Sequence, residues 1–273
     1  MAELQSLEKP DWIKTGKDLA EHFIARLFVK YNNTQQSRLI FDRFYALSSR
    51  KSATRSKRQG TQRLIYYHIK DSTHIAKVTL KKLISHVKTK AELAAFLSHE
   101  MMDRGKATGK QVIVAWATEC KATHKDVSHL QSDHEEADTK MILHALEAIA
   151  DGATELSIYS SDTDVLVLTI RRYPEMYPNT GFVTGSATTR RTIKLQQFVD
   201  SLGSAKTAAI PPLHALTGAD YMGSFSGKGK PTRWKEFEEA NELMLRSIAN
   251  LGKDEKHKEE THDRIEQFVC QLY

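Results

Sequence analysis

Between Ser132 and Leu168 a helix pattern, a strand pattern and a pair of acids follow one another with almost no linker, and this unit restricts the fold more than any bulk property does. Ser132-x-x-Glu135 is a capping box, and "HEEADTKMILHALEAIADG" repeats apolar residues at helical spacing until Gly152 marks its end. "ELSIYSS" then reads as a strand that runs into Asp162 and Asp164. If the strand ends at Ser160 or Ser161, positions i and i+2 leave its tip on one side and both carboxylates point the same way. Two such anions repel, and a divalent cation held by oxygen ligands is the simplest offset. An isolated D-x-D is also a common turn or helix cap, so the rest of the chain has to decide.

The same alternation extends in both directions. "TGKDLAEHFIARLFVKY" predicts a helix, and "SRLIFD" a short strand ending at Asp42. Thr89-x-x-Glu92 opens a helix to about Asp103, "QVIVAW" is a buried strand, and polar residues 118–133 connect it onward. Beyond Asp164 come the strand "GFVTG", the strand and helix of "RTIKLQQFVDSLG", and a short helix from the diproline at Pro211 and Pro212 to Gly218. Residues 231–273 read as two charged helices. Strands alternating with helices predict an α/β fold with a mainly parallel central sheet. In such sheets ligands gather beyond the carboxyl ends of the strands, where Asp42, Asp162 and Asp164 fall.

Composition sets outer limits. A hydrophobic content of 40% over 273 residues supports a real core. Cys120 and Cys270 stand in no metal-binding spacing, which argues against a disulfide framework and a zinc ribbon and suits an intracellular protein. No apolar run reaches a membrane span, so no membrane partner is expected. The net charge of +6 favours a polyanionic partner, and Arg50 to Arg63 is basic and nearly free of apolar side chains. That stretch reads as a nucleic-acid contact or, equally, as a solvated face or nuclear import signal. His134, His144 and His214 lie near acids but form no H-x-x-x-H pair, so they read as surface or core residues, and Trp116 and Trp234 as core aromatics.

Asp138 shares a helical stripe with Ile142, Ala145 and Ile149, which puts a carboxylate on the apolar side of the first turn. Ideal geometry brings Glu135 close to that face and turns Glu136 away. A further acid, Asp220, stands in "LHALTGADYMGSFSGKGK", where Gly218 implies a tight loop.

In this order and spacing, "HEEAD", "SSDTDV" and "LTGADY" with its later "GKG" resemble the acidic motifs of the flap endonuclease and XPG group of structure-specific 5′ nucleases, a branch of the PIN-like fold. More closely the chain resembles animal proteins with a divergent PIN-like domain, several of them associated with mobile elements. The resemblance implies a three-layer PIN-like fold. It implies metal ligands at Asp42, Glu136, Asp138, Asp162, Asp164 and Asp220, holding Mg2+ or Mn2+. Glu136 is preferred to Glu135 here because Ala137 fixes the register of the family's E-A-E pattern, against the geometric preference. "IFDRFYALSSRKSATRSKR" is similar to the family's strand and basic gateway helix, which matches Lys51 and Arg58 to the residues that reach the scissile phosphate and puts Arg55 among the nucleic-acid contacts. This chain has two extra residues between Asp42 and Lys51. Gly227, Lys228 and Gly229 match the turn that holds duplex DNA by its backbone.

The organisation implied is a PIN-like domain over residues 1–230, with a gateway segment at 43–80 and a glycine-rich DNA-binding turn at 218–230, then a helical extension at 231–273. The family's first strand and its aspartate have no counterpart before Asp42, because Asp11 and Asp18 follow no strand, so the sheet is expected to lack that strand. The activity implied is metal-dependent hydrolysis of phosphodiester bonds in branched or single-stranded DNA. The alternative is a non-catalytic PIN-like module that binds nucleic acid or protein. A third class, the haloacid dehalogenase-type phosphatases, also places D-x-D-x-[TV] after a strand, with Asp162 as nucleophile, but leaves "HEEAD" and "GADY" unexplained.

Overall fold

Thr15 and Asp18 start the first helix by capping each other: the Asp18 amide donates to Thr15 Oγ1 at 3.2 Å and the Thr15 amide to Asp18 Oδ2 at 2.9 Å. The structure is a computed structural model that describes Leu4, Leu7, Gly223 and residues 9–44, 64–176, 179–185, 189–218, 225–253 and 259–273. It divides into two compact units, Met1–His144 and Ala145–Tyr273.

In the first unit, helix α1 (Gly16–Lys30) buries Leu19, Phe23, Ile24 and Leu27, a stripe at helical spacing. Strand β1 (Gln36–Ile40) pairs in parallel with β2 (Gln111–Trp116), and β2 pairs antiparallel with β3 (Glu119–Ala122). A short helix α2 (Leu80–Leu83) precedes the long α3 (Val87–Thr108), which Gly109 ends in the left-handed region at φ 66°. The middle strand sorts its side chains by alternation. Val112, Val114 and Trp116 join a core with α1 and α3, while Ile113 and Ala115 join Cys120, Val127 and Leu130 on the other face. Leu143 of helix α4 (Ala137–Ala150) packs against that second face.

Two expectations change here. Thr89 lies inside α3, where its buried hydroxyl accepts the Tyr67 amide hydrogen at 2.9 Å, so it caps nothing. Residues 118–133 hold β3 as well as a connection. Its pattern is too short to register locally and is stabilised by pairing with β2, with Ala115 opposite Cys120.

In the second unit, β4 (Leu156–Tyr159) pairs in parallel with β5 (Thr180–Thr184), which pairs antiparallel with β6 (Arg191–Lys194). Helix α5 (Thr163–Arg172) follows β4. Helix α6 (Leu195–Leu216) breaks at Gly203, φ 77°, and then runs through Pro211 and Pro212 instead of starting there. Ala209, Ile210 and Leu213, all buried, anchor the turns that lack the proline amides. The described residues of 231–273 contribute α7 (Lys230–Glu239), α8 (Glu242–Ala249) and α9 (Glu259–Gln271), one helix more than the periodicity predicts. Phe237, Met244, Ile248 and Phe268 from these helices share one core with Ile170 and Leu213. Trp116 is buried as expected, but Trp234 is 36% exposed.

The chain is therefore mixed α/β, with two three-stranded sheets among the described residues, each containing one parallel and one antiparallel pair. Among the described residues no helix is long and apolar enough to cross a membrane.

Candidate functional site

The end of β1 and the start of α4 are laced together. The Ala137 amide donates to Asp42 Oδ1 at 2.9 Å, the Arg43 amide to the Glu135 carbonyl at 2.7 Å, and the Arg43 guanidinium to the Asp133 carbonyl at 3.0 Å. The first amides of a helix have no partner within it, and its N-terminus carries partial positive charge, so an anion from a distant strand is well placed there. The expected capping box is not what opens α4. Ser132 Oγ instead accepts the His134 amide hydrogen at 3.2 Å, and the helix begins two residues after Glu135. Asp42 supplies the acceptor from outside.

Ala137 separates Glu136 from Asp138, so the contact brings Asp42 to the acidic motif. Glu135, Glu136 and Asp138 are all half-buried, and Asp138 lies on the face that buries Ile142. Two residues further Lys140 is only 2% exposed, and its ammonium donates to the Ala117 carbonyl at 2.6 Å. Burial, then the positive charge of Arg43, hold its pKa below the ordinary lysine value, with the Asp42 charge opposing them. An open hollow of about 570 Å3 lies beside this motif, lined by Thr118, Gln131, Ser132, Asp133, His134 and Leu143.

In the second unit Asp162 and Asp164 do not leave a strand tip together. The strand stops at Tyr159, and Asp162 is the N-cap of α5, its Oδ1 accepting the Asp164 amide hydrogen at 3.0 Å. Asp164 sits in the first helical turn, 3.0 Å from Nε2 of His214 near the end of α6. The two anions are thus offset in different ways, one by helix amides and one by an imidazole. Nothing in the sequence marks His214 as the partner, because 50 residues separate it from Asp164.

Arg233 is also absent from the sequence-derived set. Buried on α7, it donates to the carbonyls of Thr217 and Phe225, and so ties down both flanks of the segment that contains Asp220. Asp220 itself lies outside the described residues, as do Lys51, Arg55 and Arg58. Gly227 adopts φ 69°, which explains glycine in the turn, whereas Gly229 is the N-cap of α7 at an ordinary φ of −75°. Lys228 places its ammonium 4.8 Å from the centre of the Tyr273 ring, whose hydroxyl donates to the Ser226 carbonyl.

The donor chemistry of these acids, hard oxygens, suits Mg2+ or Mn2+. Their grouping is another matter, since among the described residues no three His, Cys, Asp or Glu side chains gather into a group that could hold a metal ion. No family model, no curated protein and no solved structure matches the chain.

Proposed function

We propose that the chain is a PIN-like protein of the structure-specific 5′ nuclease type, with a three-layer, mainly parallel fold, acting on phosphodiester bonds of branched or single-stranded DNA in the nucleus. One observation carries the reading: Asp42, at the end of a strand, meets the helix N-terminus at Ala137, between Glu136 and Asp138. A strand-end aspartate beside an acidic helix start is what the motif order "IFD" and "EAD" requires. In this reading Asp42, Glu136 and Asp138 form one set of ligands for Mg2+ or Mn2+, and Asp162, Asp164 and Asp220 another. The ions would supply an activated water and charge neutralisation at the leaving oxygen.

The test is magnesium-dependent cleavage of a 5′-labelled flap DNA by the chain, beside Asp42→Asn and Glu136→Gln. Cleavage by the parent alone supports the nuclease. Cleavage that survives both substitutions, or that needs no metal, rejects the assignment of these acids.

A second reading, a non-catalytic nucleic-acid-binding module of the same fold, has its own support. Asp162 is engaged as a helix cap and Asp164 with His214, which gives both acids a structural role without a metal. A folded protein that binds flap DNA and leaves it intact at every magnesium concentration is the outcome this reading predicts.

A further inference from the structure

The β5–β6 hairpin of the second unit carries charge of one sign only. From Met176 to Val199 the chain has no Asp or Glu, and its three cations, Arg190, Arg191 and Lys194, fall within five residues. Gly185, at φ 86°, brings them onto the sheet: a Cβ there would meet the Thr189 carbonyl at 2.3 Å, so glycine lets the chain return this closely just before Arg190. Strand β6 then pairs with β5 and, at the edge of its sheet, with no other strand among the described residues.

That pairing fixes where the cations stand. Ile193 lies opposite the buried Phe182, and Arg191, two residues earlier on the same face, lies opposite half-buried Thr184 at the strand end. Thr192 and Lys194 take the other face, and the residue opposite Lys194 is Gly181, which has no side chain. Arg190, Arg191 and Lys194 are all exposed, and among the described residues none of their side chains has a hydrogen bond or an ion pair. Lys194 is also the N-cap of α6, whose first amides receive no side-chain cap, so partial positive charge of the helix end adds to the same sign.

Charge on an edge strand guards it against pairing with another chain, but guarding needs no single sign. Strand β3, at the edge of the first sheet, exposes Glu119 and Lys121, one charge of each kind. A row of cations about 14 Å long at the rise of an extended strand suits a linear polyanion whose charges recur every few ångströms. The arginines favour phosphate in particular, because a guanidinium meets it with two parallel hydrogen bonds. We infer that Arg190, Arg191 and Lys194 form a contact for the phosphate backbone of nucleic acid, independent of base sequence. None of the three belongs to the acids of the proposed nuclease site or to the glycine turn, so the contact stands whether or not the chain cleaves DNA.

The test is fluorescence anisotropy of a labelled DNA duplex with the full chain in EDTA, where metal-dependent cleavage does not contribute, at several salt concentrations. The triple variant Arg190→Gln, Arg191→Gln, Lys194→Gln is expected to bind about 10-fold more weakly or worse, and to flatten the slope of log affinity against log salt by about 2–3. Arg190→Gln with Lys194→Gln, which leaves the face of Ile193 untouched, should flatten it by about 1–2. Arg246→Gln with Arg264→Gln removes two cations already paired with Glu242 and Glu260, and is expected to bind like the parent. A duplex of unrelated sequence should bind as tightly as the first. No binding by the parent at low salt, or unchanged binding by the triple variant, checked as folded by circular dichroism, would overturn the contact. A triple variant that self-associates on size exclusion yet binds DNA as the parent does would reduce the three cations to guards of the edge. Equal losses in the triple variant and in Arg246→Gln with Arg264→Gln would make binding a matter of net charge, against the proposal. So would polyglutamate bound as tightly as the duplex, which would leave a surface for any acidic chain.

Discussion

Asp42 Oδ1 accepts the Ala137 amide hydrogen at 2.9 Å across 95 positions of sequence, so a residue at a strand end caps a helix to which it does not belong. Asp42→Ala is expected to lower stability by about 1–2 kcal/mol, as loss of a helix cap does, whereas Asp42→Asn keeps an acceptor oxygen and loses less. Urea denaturation of the two variants measures the difference. Equal losses would count against capping as the stabilising contact.

Asp162 offers a way to separate a structural role from a chemical one. Its carboxylate oxygen caps α5 through the Asp164 amide, which an asparagine oxygen also does. Asp162→Asn should therefore retain the parent stability and Asp162→Ala lose about 1 kcal/mol. If Asp162 also binds metal, the asparagine variant alone combines full stability with lost cleavage.

Asp164 and His214, 3.0 Å apart and partly buried, are expected to couple by about 0.5–1 kcal/mol in a double-mutant cycle of Asp164→Asn and His214→Gln. A coupling near zero would show that the pair contributes nothing net to folding.

Glu92 predicts a pH dependence of known sign. Burial works against its charge, but hydrogen bonds from Tyr66, the Ile69 amide and His68 outweigh it and hold the folded-state pKa below the ordinary value of 4.5. Its contribution is complete above that ordinary value and is lost as pH falls through the depressed one. The stability gap between the parent and Glu92→Gln should be level near neutrality and close under acid conditions. Thermal denaturation across that range reads it, and a gap that widens toward low pH would refute the assignment.

Ala117, whose carbonyl receives the Lys140 ammonium, sits at φ 46°, a conformation that a side chain disfavours. Ala117→Gly is expected to raise stability by up to about 1 kcal/mol, visible as a higher melting temperature. A loss of stability would mean that the flexibility glycine adds to the unfolded chain outweighs the relief.

How far these relationships are legible beforehand differs residue by residue. The helix at Gly16–Lys30 follows from apolar spacing, because its buried side chains recur with the helical period, and the strand at Gln36–Ile40 follows from the short apolar run that ends it, its own side chains being half-buried throughout. Strand β3 does not follow, since four residues with one buried side chain hold too little periodicity to be distinguished from a loop. The start of α4 misleads for a related reason: Ser132 and Glu135 satisfy the local pattern of a cap, but Asp42 reaches the first amide from another strand and the helix begins later. For the D-x-D, the sequence shows two carboxylates and the need to offset them, and both a metal and a helix cap answer that need.

What the sequence determines by itself is most of the elements and the residues able to do chemistry, because both depend on relations a few positions apart: the apolar stripe of α1, glycine at a left-handed helix end such as Gly152, and the acids of "EEAD" and "DTD". Only the tertiary structure decides how those residues are engaged. Asp42 meets Ala137, Asp164 meets His214, Lys140 meets Ala117, and Arg233 holds Thr217 and Phe225. Each partner is chosen by where the chain returns in space, and the energy of a charge or an unpaired amide is set by whatever stands next to it there.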